Sequence, residues 1–339
     1  MTERQLRELL EKFAPAVRDA ILSGIRDIRD NARLSEIVRM VEANDVDGAL
    51  RALGYNPAVF NTYYITMMQA FEQGGLMLMA GMQRYTRDDA GVMNLVRFNV
   101  RDRRAEQWLQ SRSSDLVADL TDDVRAAVRN TLADGMANGR NPTSVALDLV
   151  GRYNRTTNRR EGGMVGLSDR DQKWSLNVRD ELIRLDEKYF DRKMRDKRFD
   201  AIVRNAIASG KPLTQAQVTK LVSRYREIAL KNRGDTIGRT EALAALNRSE
   251  WESTRQALEQ SNLPLEAAQK EWDDAGDNDV RHTHAAMNGQ RVGIDEPFVS
   301  PSGARLMHPH DRSLGAGGEE IIDCRCRVKY VIDFAYGVE

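Results

Sequence analysis

At 339 residues the chain is long enough for two domains and a sizeable core, and 41% hydrophobic with 30% charged residues describes a globular protein rich in surface helix. Fifty-one basic residues balance fifty-one acidic ones, which excludes a generic nucleic-acid binder with a strong basic excess and leaves only local patches for DNA contact. No apolar run approaches the roughly 18–20 residues that span a bilayer, so no stable membrane insertion is expected. The opening Met-Thr-Glu-Arg-Gln-Leu has no basic-then-apolar secretion pattern and predicts a cytoplasmic protein.

Residues 2–30 predict a helix with a kink at Pro15. Thr2 and Gln5 form a capping box, and Leu6, Leu9, Leu10, Phe13, Val17, Ile21, Ile25 and Ile28 recur at helical spacing. A second helix, 34–53, stops at Gly54. A third follows Asn56-Pro57 with a methionine and aromatic stripe through Tyr63, Met67, Phe71 and Met79. At helical spacing such a stripe is core or subunit packing, with adaptable packing against a partner as the alternative. Periodicity weakens between Asp88 and Val100, where Val92, Leu95, Val96 and Phe98 suit a strand or a loose connection.

Helical pattern resumes at 103–112 and 115–138, and Asn141-Pro142 supplies the N-cap and first-turn proline of a helix through Val150. Gly151–Gly166 reads as a loop. It carries Arg152, Arg155, Arg159 and Arg160 against one acid, Glu161, and so is either a phosphate-contacting patch or a solvated loop. Ser168 caps the next helix. Thr214 and Gln217 form a second capping box that opens a helix to about Leu230, and a last long helix covers 236–260. The expected fold is mainly α: a multi-helix N-terminal and middle region (1–100 and 101–263) followed by a small α+β C-terminal domain (264–339).

That last segment holds all four histidines, His282, His284, His308 and His310, and both cysteines, Cys324 and Cys326. Lys270-Glu271-Trp272 suggests a short strand. Asp279 is placed to cap a helix over 280–287, which Asn288-Gly289 would end. On such a helix His282 and His284 lie about 200° apart and cannot share a ligand site. The run from Ile321 to Ile332 reads as a strand with Cys324, Cys326 and Val328 on one face and Arg325, Arg327 and Lys329 on the other. A bridge between cysteines at i and i+2 would be strained. Two readings remain for the thiols: a reduced pair packing a small core, or a zinc site completed by histidine. The cationic strand face is either a second phosphate-binding strip or a salt-bridged sheet face. A zinc-deaminase signature, a Walker loop, a dinucleotide-binding glycine motif and His-Glu-x-x-His are all missing, which argues against an enzyme of those classes.

The order Arg281-x-x-His284, Met287-Asn288-Gly289, Pro297-Phe298, Pro301-Ser302-Gly303, Pro309-x-Asp311, Glu319-Glu320 and Ile322-Asp323-Cys324-Arg325-Cys326 resembles the C-terminal domain of the phage Mu F-like minor head proteins. Gly166-Leu167-Ser168, Pro212-Leu213-Thr214, Ile237-Gly238-Arg239-Thr240-Glu241 and Asn247-Arg248 extend the likeness over about 120–332. The resemblance implies a non-enzymatic virion component of a tailed double-stranded DNA phage, associated with the portal in the head interior and assembled in the host cytoplasm. Its implied partners are the portal protein, capsid or scaffold proteins, and packaged DNA. The implied framework residues are Arg239, Glu241, Arg281, His284, Gly289, Asp311, Cys324, Arg325 and Cys326. The asparagine usual before Cys-Arg-Cys in that family is Asp323 here. If zinc is held, the motif-matching candidates are His284, Cys324 and Cys326, with Asp311 as fourth ligand; otherwise there is no cofactor. The competing function is a metal-dependent hydrolase built on the same residues, acting on nucleic acid or the cell envelope.

Overall fold

Capping chemistry sets where several helices begin, and the computed structural model, which describes residues 1–82, 85–87 and 93–336, shows it directly. The helices are α1 (Glu3–Asn31), α2 (Leu34–Glu42), α3 (Val46–Ala52), α4 (Asn61–Gly81), α5 (Arg103–Ala137), α6 (Pro142–Val150), α7 (Asp169–Arg184), α8 (Asp200–Ser209), α9 (Gln215–Gln260), α10 (His282–Met287) and α11 (Gly318–Ile321). The strands are β1 (Tyr85–Arg87), β2 (Met93–Leu95), β3 (Arg152–Asn154), β4 (Arg159–Glu161), β5 (Ala268–Asp273), β6 (Arg291–Gly293), β7 (Phe298–Val299), β8 (Arg305–Leu306) and β9 (Arg327–Ile332). The fold is mainly α, as expected.

Both capping boxes form. The Thr2 backbone N–H donates to Gln5 Oε1 at 2.9 Å, and that of Thr214 to Gln217 Oε1 at 2.8 Å. Asn141 and Ser168 also cap as predicted. Other boundaries move. Helix α1 continues through Pro15 as one element. The single helix expected over 34–53 divides at Asn44, which takes a left-handed φ of 51°, and Asp45 then caps α3. The two helices expected between 103 and 138 are one 35-residue helix. Those expected at 214–230 and 236–260 are likewise one 46-residue helix, because an isolated glycine such as Gly234 costs a helix interior only about 1 kcal/mol. Weak periodicity around 88–100 conceals the β1–β2 antiparallel pair, in which Tyr85 faces Leu95; Val92 lies outside the described residues.

The chain divides into two units, one of Met1–Ala20, Thr62–Ser113 and Asp235–Glu339, the other of Ile21–Asn61 and Ser114–Gly234. In the second unit, Val178, Leu182, Tyr189, Val203, Val218, Leu221, Val222 and Tyr225 form one core. The expected Gly151–Gly166 loop is instead the β3–β4 hairpin followed by a buried connection. Met164, Val165 and Leu167 are fully buried, and two buried arginines hold the backbone around them. Arg29 donates to Val165 O at 2.9 Å and Gly163 O at 2.8 Å. Arg226 donates to Gly162 O at 3.1 Å. Periodicity cannot register a segment ordered by side chains from elsewhere in the sequence.

In the first unit the methionine stripe faces inward: Tyr63, Met67, Phe71 and Met79 are buried, and Phe71 packs on Phe98 and Trp108. Core packing accounts for these residues, so the stripe is not a free docking face. At Gly238 a Cβ would fall 2.4 Å from Ala14 O; the close approach of α1 and α9 there admits only glycine. The C-terminal sheet has the order β6-β5-β9, with both neighbours antiparallel to β5 and Trp272 opposite Val328. A second pair, β7–β8, sets Phe298 opposite Leu306. Trp272, Met287, Phe298, Leu306, Ile321, Cys324, Cys326 and Val328 share one core.

Candidate functional site

Three side chains, His284 from one element and Cys324 and Cys326 from the turn before the last strand, meet beside Trp272. Helix α10 begins after Arg281, whose backbone is extended at φ −61° and ψ 143°. Asp279, the cap expected from sequence, instead sits in the preceding turn and donates its N–H to Asp277 Oδ1 at 3.0 Å. Met287 and His284 are the buried face of α10, and Gly289 ends the turn at φ 78°. The strand expected from Ile321 begins only at Arg327, because α11 and a left-handed Asp323 at φ 53° occupy its first half. The predicted alternation nevertheless holds: Cys324, Cys326 and Val328 are buried, whereas Arg325 and Lys329 are exposed.

His284 Nδ1 lies 3.4 Å from Cys324 Sγ and 3.5 Å from Cys326 Sγ. These three ligand atoms all lie within 4.8 Å of one another, and all three residues are buried. The Cys326 backbone N–H donates to Cys324 Sγ at 3.4 Å. On the far side of the imidazole, Nε2 lies 2.8 Å from Glu320 Oε2. Glu320 is locked in turn by Ser302 at 2.6 Å, Ser300 at 3.2 Å and Thr283 at 3.1 Å. Burial raises the Glu320 carboxyl, but these bonds outweigh it and leave the group below the usual glutamate range, as a carboxylate. Hydrogen bonding between the two free thiols holds Cys324 below the ordinary thiol range and, reinforced by burial, pushes Cys326 up. The Trp272 ring meets the His284 ring edge-on at 5.2 Å. Glu320 was legible in the sequence only as half of an acidic pair.

Asp311 takes no part in this cluster. Its carboxylate accepts the Met307 N–H at 2.9 Å, and the Ser313 N–H at 3.0 Å and hydroxyl at 2.9 Å. Among the described residues, the group with metal-ligand spacing contains no aspartate. His282 also stays outside it, as helical geometry required.

The remaining histidines serve a buried polar network. Arg112 clamps Glu241 with two 2.8 Å bonds and donates a third, 3.1 Å long, to His310 O. The Tyr63 hydroxyl donates to Glu241 Oε2 at 3.1 Å. His310 Nε2 donates to Cys324 O at 2.8 Å, which links the network to the thiol cluster. Asn247 Nδ2 approaches His310 Nδ1 at 3.5 Å. Sequence reasoning set His308 and His310 aside and did not see Arg112, because its partner Glu241 is 129 residues away. Lys270 is also buried, and its ammonium donates to Met307 O at 2.7 Å; burial, partly offset by Asp295 and Asp311, brings it down to about 7.

Burial depresses His308 to about 4, against the pull of Asp311, and His310 to about 3, against its bond to Cys324 O. An unfolded histidine titrates near 6.5, so below that pH the unfolded chain binds protons that the folded chain refuses. The contribution of these two histidines to stability is therefore expected to be full above about pH 6.5 and to be lost as pH falls through about 4 and 3. Urea midpoints at pH 7.5 and pH 5 check this; an unchanged midpoint would refute it.

The cationic residues proposed as phosphate contacts are mostly paired within the chain. Arg325 makes a two-pronged contact with Asp277 at 2.6 and 2.7 Å. Arg327 pairs with Asp273, and Lys329 reaches the same carboxylate at 2.7 Å. That strand face is salt-bridged. In the β3–β4 hairpin, Arg152 pairs with Asp148 at 3.0 Å and Arg159 with Asp30 at 3.0 Å. Arg160 donates its backbone N–H to Asp30 at 2.9 Å and its guanidinium to Gly151 O at 3.2 Å. Arg155, at the hairpin tip, is exposed.

Asp323 stands where the resemblance leads one to expect asparagine, and its backbone is left-handed at φ 53°. Asparagine and aspartate are the non-glycine residues that best tolerate a left-handed φ. Its carboxylate accepts from Arg239 at 2.9 Å, an exposed contact. Asp323→Asn is expected to change stability by less than about 1 kcal/mol, and Asp323→Val to cost about 1–2 kcal/mol through left-handed strain. Urea denaturation of both variants distinguishes them.

No curated protein and no solved structure matches this chain. Residues 197–329 match the family described as Phage Mu protein F like protein, a span that takes in Glu241, the buried cluster and the first half of β9 but not Gly166-Leu167-Ser168. This match supports the family to which the motif order pointed: across residues 197–329 the chain is similar to the phage Mu protein F-like family, which suggests a part in phage head morphogenesis.

Proposed function

We propose that the protein is a minor head component of a tailed double-stranded DNA phage, held in the head interior beside the portal and needed for head assembly or genome delivery. The observation that carries this reading is the family match over residues 197–329. The motif residues support a structural role. Glu241 is consumed in a buried ion pair, Gly289 in a turn and Asp311 in capping its own loop. A hydrolase using His284 with Asp311 has less support, since the two belong to separate sets of contacts. In this reading the helical regions dock to the portal, capsid or scaffold proteins, and residues 264–339 act as the compact module. Co-purification with the portal protein from infected cells or virions tests it; absence from both procapsids and virions would sink it.

Packaged DNA is the further partner, and the β3–β4 hairpin is its contact. Arg155 stands at the tip, with Arg159 and Arg160 held beside it by Asp30. Alanine at all three positions is expected to weaken DNA binding and to flatten the log–log salt dependence by roughly 0.9 per lost phosphate contact. An unchanged slope in a salt titration would remove the hairpin from the DNA interface.

A further inference from the structure

We propose that His284 Nδ1, Cys324 Sγ and Cys326 Sγ hold a zinc ion, which clamps α10 to the turn entering β9. Zinc binds thiolate sulfur at about 2.3 Å and imidazole nitrogen at about 2.0–2.1 Å in a tetrahedron, which sets nitrogen and sulfur about 3.6 Å apart. The two observed separations are 3.4 and 3.5 Å.

A carboxylate only accepts hydrogen bonds, so Glu320 fixes the His284 hydrogen on Nε2 at 2.8 Å. In the neutral ring Nδ1 then carries one lone pair, and both sulfurs converge on it. A single lone pair serves two thiols poorly as a hydrogen-bond acceptor, whereas one cation satisfies all three donors. The donor set of two thiolates and one imidazole suits zinc.

Metal-bound histidines characteristically donate their other N–H to a carboxylate that is itself held. Glu320 is held by Ser302, Ser300 and Thr283. The left-handed backbone at Asp323 turns the chain just before the first thiol, and the Cys326 N–H points at Cys324 Sγ at 3.4 Å. That turn lets two cysteines separated by one residue serve a single ion, although their spacing is not that of a standard finger. Neither Asp311 nor Glu320 supplies a fourth ligand: the first caps its own loop, and the second is spent on Nε2. The fourth position goes to a solvent oxygen. The site stands apart from the head-protein reading, because it rests only on the local geometry.

The test uses the full chain purified under reducing conditions, stripped with a chelator and then given Zn²⁺ or Co²⁺ alone. The expected results are stoichiometric zinc, a rise in melting temperature on adding zinc, and a thiolate-to-cobalt charge-transfer band. Cys326→Ser should abolish that band. Glu320→Gln should keep the stoichiometry and weaken affinity roughly 10–100-fold. Wild-type protein that is folded by circular dichroism, has both thiols free, and shows neither stoichiometric zinc nor a thermal shift would overturn the proposal. Cobalt binding that Cys326→Ser leaves unchanged would overturn it as well.

Discussion

Replacing Glu241 with alanine is expected to cost about 3–5 kcal/mol of folding stability, because it strands a buried guanidinium. Arg112 and Glu241 are each about 5% exposed at the side chain, and the carboxylate also accepts the Tyr63 hydroxyl. Without it Arg112 keeps only His310 O, a neutral acceptor, for a full charge out of water. The paired replacement Arg112→Met with Glu241→Met is expected to lose far less than the single change, since swapping a whole buried ion pair for apolar side chains of similar volume is often close to neutral. Urea unfolding of wild type, single and double variants checks both halves. A loss below about 1 kcal/mol for Glu241→Ala would mean that water or rearrangement reaches Arg112.

Trp272→Ala is expected to cost a similar amount, about 3–5 kcal/mol, by a different mechanism. Its side chain is fully buried at the centre of the C-terminal sheet. It touches Phe298 and His284 edge-on, each with ring centres 5.2 Å apart. Alanine leaves a cavity that strands paired on both sides of β5 cannot close. The wall of that cavity is the histidine facing the two thiols, so the loss should also be visible locally. Cys324 and Cys326 are expected to react faster with a thiol reagent in the variant than in wild type. Unchanged thiol reactivity together with a small change in the urea midpoint would show that the core relaxes around the missing indole.

Some of this fold was legible as a string of residues. Capping boxes, N-cap residues and three- and four-residue apolar spacing are interactions between residues at most a few positions apart, so Thr2, Asn141, Ser168 and Thr214 mark true helix starts. Alternation within the last run likewise identified which cysteines and cations share a face, although α11 and the turn at Asp323 displaced the start of β9. The merging of helices into α5 and α9 was not legible, because weak local breakers do not stop a helix whose buried face is supported elsewhere.

The candidate site divides along the same line. From sequence alone came the mainly helical class, the family order of motifs, and His284, Cys324 and Cys326 as the residues to compare. The tertiary structure decided which of them meet. It brought Glu320 to the far side of the imidazole and left Asp311 capping its own loop. It set acids from β5 and the following turn against Arg325, Arg327 and Lys329. It paired Arg112 with Glu241 across 129 positions. The physical reason is range: helix caps and amphipathic periods are written within a few residues, whereas a buried ion pair or a shared ligand site is defined by groups that only chain folding brings within about 3–4 Å.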